Sequence, residues 1–441
     1  MGVRRSWSLV VLFLALTGEA LAGSAVVSCT ISQPNTFPSI TAALNSLNPA
    51  GPNLVTVQGT CKENLFIPYY QNLTIAGMPG KPAVIENAAN PAGIVVQAFG
   101  CRGLLLQNLV IRGGTFGLLV NQASEAVIQN LVSENNSSDG VVAQIGSTLG
   151  VDNSKFINNG GNGLTVASMA NATLSTQPGE TILISGNAGS GIDVDAAYLQ
   201  ANFGPLRVMN NAGAAVLVFN GQLLLFGGDP SAGGTNSFQK NGEGIDLFDT
   251  SSARLFGSNV IQSNGEVGLQ IVNGSSAEFF GLVSSTGTNV GTTIQGHSGP
   301  GVNIVRSSAA SFAGPHVIRA NGSTADVLSS GIRIEHSNVT VQDGTSVSGN
   351  IGPGIALEEG GTVNVLANAV IKNNSGDGVN LSIQSNGGFF QPITITGNGG
   401  ASIRCDTSSV AVGNFTGIKN VNCSQLQSRT GAVGNGRVVL H

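Results

Sequence analysis

Charge is the first thing this 441-residue chain is short of: Asp, Glu, Lys and Arg make up 9% of it, against roughly a quarter in ordinary soluble domains. What charge there is leans acidic, with 18 basic residues against 23 acidic. A phosphate backbone is held by clustered Lys and Arg, so this balance excludes nucleic acid as a partner. Aromatics are scarce too, at 5%, with Trp7 the one tryptophan and Tyr69, Tyr70 and Tyr198 the three tyrosines. Sugar sites draw on flat rings, so this poverty counts against a large sugar-binding surface. No phosphate-binding glycine loop, serine elbow or zinc-ligand spacing occurs. Apart from one short segment near the start, no window carries a sustained helical period.

Glycine, asparagine and short apolar pairs are abundant, and they recur. The phrase reads Asn135-Asn136-Ser-Ser-Asp139-Gly140-Val141, then Asn158-Asn159-Gly-Gly-Asn-Gly163-Leu164, and later Asn373-Asn374-Ser-Gly-Asp-Gly378-Val379. Aligned on the last small residue, the anchors fall at 93, 117, 140, 163, 191, 215, 244, 268, 301, 331, 354, 378 and 402. Most gaps are 23 or 24 residues, and the longest is 33. A fixed period of this length is the signature of a solenoid.

Each unit carries three short strands. Strict alternation follows the anchor, as in Gly191-Ile192-Asp193-Val194-Asp195; a small polar turn and a second strand come next, and a third apolar stretch precedes the asparagines. Propeller blades need about 40–50 residues, whereas three strands in 23–24 residues fit a parallel β-helix. The predicted fold class is therefore all-β: a right-handed, single-stranded parallel β-helix of about 13–14 coils, stacked about 4.8 Å apart. Glycine and asparagine suit its corners because they accept left-handed backbone angles, and asparagines at equivalent corners can stack as amide ladders. Residues 38–47 form a short amphipathic helix with Ile40, Ala43, Leu44 and Leu47 on one side, the predicted N-terminal cap of the solenoid.

Residues 1–22 have the form of a secretory signal peptide, with Arg4 and Arg5, the apolar run Leu9–Leu16, and Ala20-Leu21-Ala22 at the cleavage position. The expected organisation is the leader, a β-helix domain over 23–425, and a flexible C-terminal tail over 426–441. Without Arg4, Arg5 and Glu19 the balance is 16 basic to 22 acidic residues, a net charge of −6. No transmembrane segment follows the leader. Val26-Val27-Ser28-Cys29 resembles a bacterial lipobox, which gives a less favoured alternative with lipid on Cys29. Cysteines pair in an oxidising compartment. Cys29 and Cys61 bracket the cap helix, Cys405 and Cys423 staple the last coil, and Cys101 is left as a buried small side chain.

The helix Ser39–Leu47, the segments Val55–Ile67 and Leu73–Gly77, and the Asn/Gly coils together resemble right-handed parallel β-helix proteins of the pectin-lyase-like superfamily, over about residues 29–425. That resemblance implies an extracellular protein acting on or binding polysaccharide. The superfamily's catalytic signatures are missing: there is no Asp-Asp, no Gly-His-Gly, no Arg-x-Lys, and no Gly-x-Val-Asp-Phe-Ile-Phe-Gly.

The anchors also serve as a ruler. In the strand after each one, the first and third residues point inward and the second and fourth outward. Outward acids gather as Asp193, Asp195 and Asp246, with Asp249 nearby and Leu217 and Phe219 on the coil between. The candidate catalytic residues are Asp193, Asp195 and Asp246. Candidate substrate-binding residues are Phe219, Phe248, Asp249, Arg333 and Glu335. Two carboxylates about two coils apart suit an inverting glycosidase, and the same oxygens suit calcium, the one cofactor considered. Arg333, Glu335, His336 and Glu358 form a second group, read either as a uronate clamp or as a cross-strand ion pair. Phe226, Phe256 and Phe280 fall at equivalent places and are expected to stack. Two functions follow: a secreted rod, without recognisable catalytic motifs, that contacts polysaccharide or another cell-envelope component; or a polysaccharide lyase or glycoside hydrolase acting on uronate-type polymers through the acidic cluster. Whether the chain is an enzyme stays open at this point.

Overall fold

The computed structural model describes residues 23–30, 33–80, 83–177, 179–202, 204–230, 233–324 and 327–428. The expected leader and residues 429–441 of the expected tail lie outside these. Strands dominate, and every coil turns through three of them. One face is a 15-stranded parallel sheet running from Leu65–Pro68 to Val421–Asn422; it carries the strands that follow the sequence anchors and is here the anchor face. A second face runs through Leu73–Gly77, and a third through Ala83–Glu86. The long strand Asn53–Lys62 pairs with both of these strands, so one segment contributes to two faces.

Burial follows the predicted alternation. In Ile192–Asp195 the first and third residues are buried while Asp193 is half-buried and Asp195 exposed. Inward Val, Ile, Leu and Phe from all three faces form one continuous core. Twelve of the thirteen anchors hold the same register at the start of an anchor-face strand, ten immediately before it and Ala215 and Gly244 as its second residue. The exception is Gly93: Val96 pairs with Leu118, so the residue equivalent to Gly117 is Val95. Val95 is accordingly buried, and the outward pair of that coil is Gln97 and Phe99 rather than Val95 and Gln97.

The corners hold the coils in step. Between the third face and the anchor face, asparagine amides stack: the Asn136 side-chain amide donates to Asn159 at 2.9 Å, Asn159 to Asn187 at 3.0 Å and Asn187 to Asn211 at 2.9 Å. This run continues through Asn241 to Asn264 and resumes from Asn321 to Asn398. His297 stands between the two runs. Its Nε2 reaches the Ile261 carbonyl at 3.2 Å, where an asparagine side chain bonds in other coils, but its buried Nδ1 has no hydrogen-bond partner. A serine ladder lines the corner after the anchor face, with the Ser251 amide donating to Ser275 Oγ at 3.2 Å and the Ser308 amide to Ser337 Oγ at 3.1 Å. Buried Cys101 occupies a rung of it, its amide donating to Ser124 Oγ at 3.1 Å. Each such bond contributes about 0.5–1.5 kcal/mol and is costly to leave unmade when buried.

The cap helix is shorter than expected, spanning Ile40–Asn45, with Ile40, Ala43 and Leu44 buried. Ser39 caps its start, and Glu63 accepts from the Ile40 and Thr41 amides at 2.7 and 3.0 Å. Strand Gly23–Ser28 lies beside Asn53–Lys62 ahead of this helix, an element the sequence pattern did not disclose. Cys29–Cys61 and Cys405–Cys423 are disulfide-bonded. With Cys29 bonded and Val27 buried, the lipid-attachment alternative is set aside. Residues 426–428, placed in the expected tail, belong to strand Gln425–Ser428, which pairs with Val410–Gly413. In the 33-residue coil an antiparallel hairpin, Leu282–Val283 with Asn289–Val290, leaves the corner between the second and third faces. No helix of the described residues is long and apolar enough to cross a membrane.

Candidate functional site

Strand pairing tests the ruler on the acidic stripe directly. Asp193 pairs with Leu217 and Leu217 with Asp246; Asp195 pairs with Phe219 and Phe219 with Phe248. Two columns therefore run side by side along the anchor face, and Asp193 and Asp246 lie two strand spacings apart, about 9–10 Å. Phe219 displays its ring at 46% exposure, while Phe248 is half-buried.

Asp139, at the corner before its anchor, joins this group. Its Oδ1 accepts from the Asn162 backbone amide at 2.9 Å and its Oδ2 from the Thr165 hydroxyl at 2.8 Å. The Asn162 side-chain amide in turn donates to Thr165 at 3.2 Å and to Asp193 Oδ2 at 3.1 Å. Asp139 thus has a donor on each oxygen, whereas the Asn162 amide is set against the strain on Asp193. Burial, reinforced by the charges of Asp195 and Asp139, pushes the Asp193 carboxyl up to about 6. A carboxyl near 6 exchanges protons at physiological pH, as a general acid or base must.

Asp246 sits in a different environment. The stripe places it on the outward side, but it is only 2% exposed and its Oδ1 has no hydrogen-bond partner. Burial and the neighbouring Glu243 hold its carboxyl well above the usual range. Asp246 is thus covered while Asp193 is half-buried, so the two carboxyls expected around a glycosidic bond are not equally open to a ligand. Asp249 sits on the following corner in a left-handed conformation and accepts from Asn273 at 2.7 Å, off the column of acids.

The second group resolves as an ion-pair network. Arg333 Nη2 lies 2.8 Å from Glu358 and 2.5 Å from Glu335, and Nη1 donates to Asn303 at 3.2 Å. The guanidinium thus links its own strand to both neighbouring coils. His336 and Glu359, both exposed, sit 3.6 Å apart at the adjoining corner, and with half-buried Glu335 they form a trio of potential metal ligands. Phe226, Phe256 and Phe280 do stack, with centroids 4.8 Å apart and planes 16° from parallel. Their faces lie against one another on the outer side of the second face, which leaves edges rather than a sugar-stacking track.

A family model described as "Right handed beta helix region" matches residues 84–177. That match agrees with the strand pairing: the fold is a right-handed parallel β-helix. No curated protein matches the chain. Among solved structures, an A-module of a mannuronan C-5 epimerase from Azotobacter vinelandii is 11% identical over 89% of this chain and 94% of its own, with a TM-score of 0.37. A family 28 exopolygalacturonase from Yersinia enterocolitica is 12% identical over 92% and 78%, with a TM-score of 0.32. A surface adhesin of Streptococcus pneumoniae is 11% identical over 83% and 86%, with a TM-score of 0.30. These likenesses concern coil architecture and pass no activity to this chain.

Proposed function

We propose that the protein is an exported rod whose anchor face binds polysaccharide. The observation that carries this reading is the Asp195–Phe219–Phe248 column beside Asp193: an exposed ring with carboxylates on the adjoining strand of one sheet face. A ring packs against the apolar side of a pyranose while carboxylates accept from its hydroxyls. One surface depression of about 440 Å³ lies away from this column, around Met78 and Asn108, and another of about 400 Å³ lies at the corner beside it, lined by Ala196 and Asn220 next to Asp195 and Phe219. An open face of this kind favours holding a chain over cutting it. Export accords with the leader-like 1–22 segment and the two disulfides.

The acids also bear on what is bound. Asp139, Asp193 and Asp195 repel a uronate polymer unless a cation such as calcium intervenes, so a neutral or amino-sugar polymer is the better match. The test is affinity electrophoresis of the mature protein through neutral polysaccharides and through polygalacturonate and alginate, with and without calcium. Retardation by a neutral polymer that is lost in Phe219→Ala supports the reading. Retardation only by uronates with calcium overturns the substrate class. Release of reducing or unsaturated ends that stops in Asp193→Asn would make the protein a hydrolase or lyase instead.

A further inference from the structure

The few aromatics are not evenly spread. Phe66 is 54% exposed and Tyr69 64% exposed, and with half-buried Phe99 they form one cluster at the N-terminal end of the anchor face. The Phe66 and Phe99 centroids are 5.9 Å apart with planes at 53°, and the Tyr69 ring meets Phe99 edge-on at 5.5 Å. This placement is built. Tyr69 occupies a left-handed corner at φ 57°, a conformation unusual for a bulky residue. Its ring lies across Gly100 on the next coil, where a β-carbon would come within 2.6 Å of it. Later corners carry side chains at comparable places, Gln122 and Ile145 among them. Here glycine clears the space, so the tyrosine lies along the rod.

Polar groups rim the rings. Gln97 pairs with Phe66 on the outward row and is half-buried, and Gln71 and Arg102, both exposed, bridge the adjoining corner. An apolar centre with hydrogen-bonding groups around it matches a sugar ring, whose faces are apolar and whose edges carry hydroxyls. Phe99 stands on the same outward position as Phe219, five strands earlier in the sheet order. The separation is about 24 Å.

We propose that Phe66, Tyr69 and Phe99 form a second sugar-stacking station, and that a neutral polysaccharide lies along the anchor face from this station to Phe219. The proposal rests on the anchor face being the glycan-binding face. It adds that two ring stations, each weak, act through one continuous chain, so that affinity depends on chain length.

The test is calorimetric titration of the mature protein with a soluble neutral β-glucan and with short oligosaccharides cut from it, comparing wild type with Tyr69→Ala, Phe66→Ala and Phe219→Ala. All three side chains are substantially exposed, so melting temperatures should be unchanged and folding is monitored by them. Each ring lost should weaken polymer binding by about twofold to tenfold. Short oligosaccharides should bind weakly, and their residual binding should survive Phe219→Ala but fall in the Tyr69 variant. Polymer binding that is abolished by Phe219→Ala yet unchanged by Tyr69→Ala and Phe66→Ala refutes the second station and leaves the rod function standing. Binding of no glycan by wild type removes both. A wild-type dimer in sedimentation that becomes monomeric in Tyr69→Ala also refutes the station, because a second copy then covers the patch.

Discussion

The Asn162 side-chain amide donates to Asp193 at 3.1 Å while its backbone amide donates to Asp139 at 2.9 Å, so one asparagine ties together carboxylates from two coils. Asp193 nonetheless stays raised to about 6, because burial and the charges of Asp195 and Asp139 outweigh that one donor. The folded chain therefore binds a proton at Asp193 more readily than the unfolded chain, whose carboxyl is ordinary. Stability falls as pH rises from about 4 to about 6 and stays lower above that. Asp193→Asn keeps an acceptor for Asn162 and removes the charge. It should raise stability at pH 7 by roughly 1–2 kcal/mol, after allowance for solvent screening, and leave stability at pH 4 nearly unchanged. Melting curves across pH 4–8 check this; equal gains at both ends would contradict it.

Asp246 should behave differently because it is covered. Its carboxyl is held well above the ordinary range by burial and by Glu243, so the fold favours the protonated form and weakens as pH climbs toward the folded value. Asp246→Asn should flatten the pH dependence of the melting temperature above the ordinary carboxylate range. Glycan binding should not change, since only 2% of the residue is exposed. Lost binding without lost stability would place the residue back on the working surface.

Arg333 is held by groups on three coils, and its removal should leave Glu335 and Glu358, which pair across neighbouring strands, facing each other without a cation. Arg333→Ala is expected to cost about 1–3 kcal/mol. Adding Glu335→Gln and Glu358→Gln to that background should recover part of the loss. Chemical denaturation of wild type, Arg333→Ala, the Glu335→Gln/Glu358→Gln pair and the combined triple variant gives the coupling, and strict additivity would mean that the network contributes nothing.

His297→Asn should stabilise the protein. An asparagine there would still donate to the Ile261 carbonyl, would offer an oxygen to Asn264, and would remove a buried ring nitrogen that has no partner. The gain should be about 1 kcal/mol, the worth of one completed buried hydrogen bond, read as an increase in denaturation midpoint. A loss would show that the imidazole's volume matters more than the missing bond.

Glu63 supports the cap from outside its helix, accepting from the Ile40 and Thr41 amides and from the Thr41 hydroxyl at 2.6 Å. Glu63→Ala strips these acceptors from the helix start and should cost about 1–2 kcal/mol. Proteolysis should begin near residues 30–50 in this variant, mapped by mass spectrometry of the first fragments.

Periodicity made most of this fold readable, because a coil is one repeat long and its inward residues must be apolar in every copy. Asn136, Asn159 and Asn187 revealed a corner for the same reason. The reading failed where period and parity do not determine the outcome. Gly93 slipped two residues from its true equivalent because the loop before it breaks the count. Asp246 was assigned outward correctly, but parity reports direction and says nothing about what lies on top. Asp139 escaped notice because it lies in the corner, ahead of the strand that was read outward. Phe66, Tyr69 and Phe99 sit on irregular early coils, so only the three-dimensional stacking of those coils brings their rings together.

The hairpin between Leu282 and Val290 bears on how such a molecule can change. Val260–Gln262 before it and Thr293–Gln295 after it pair in the same register as neighbouring coils, although extra chain separates them. The detour leaves the strand register and the inward Ile261–Ile294 layer in place. Length in this molecule is counted in turns of the rod, and chain added at this corner leaves the count as it was. The tip of that hairpin is accordingly a natural point for grafting a foreign loop, an epitope or a tag, carried at a defined height along the rod.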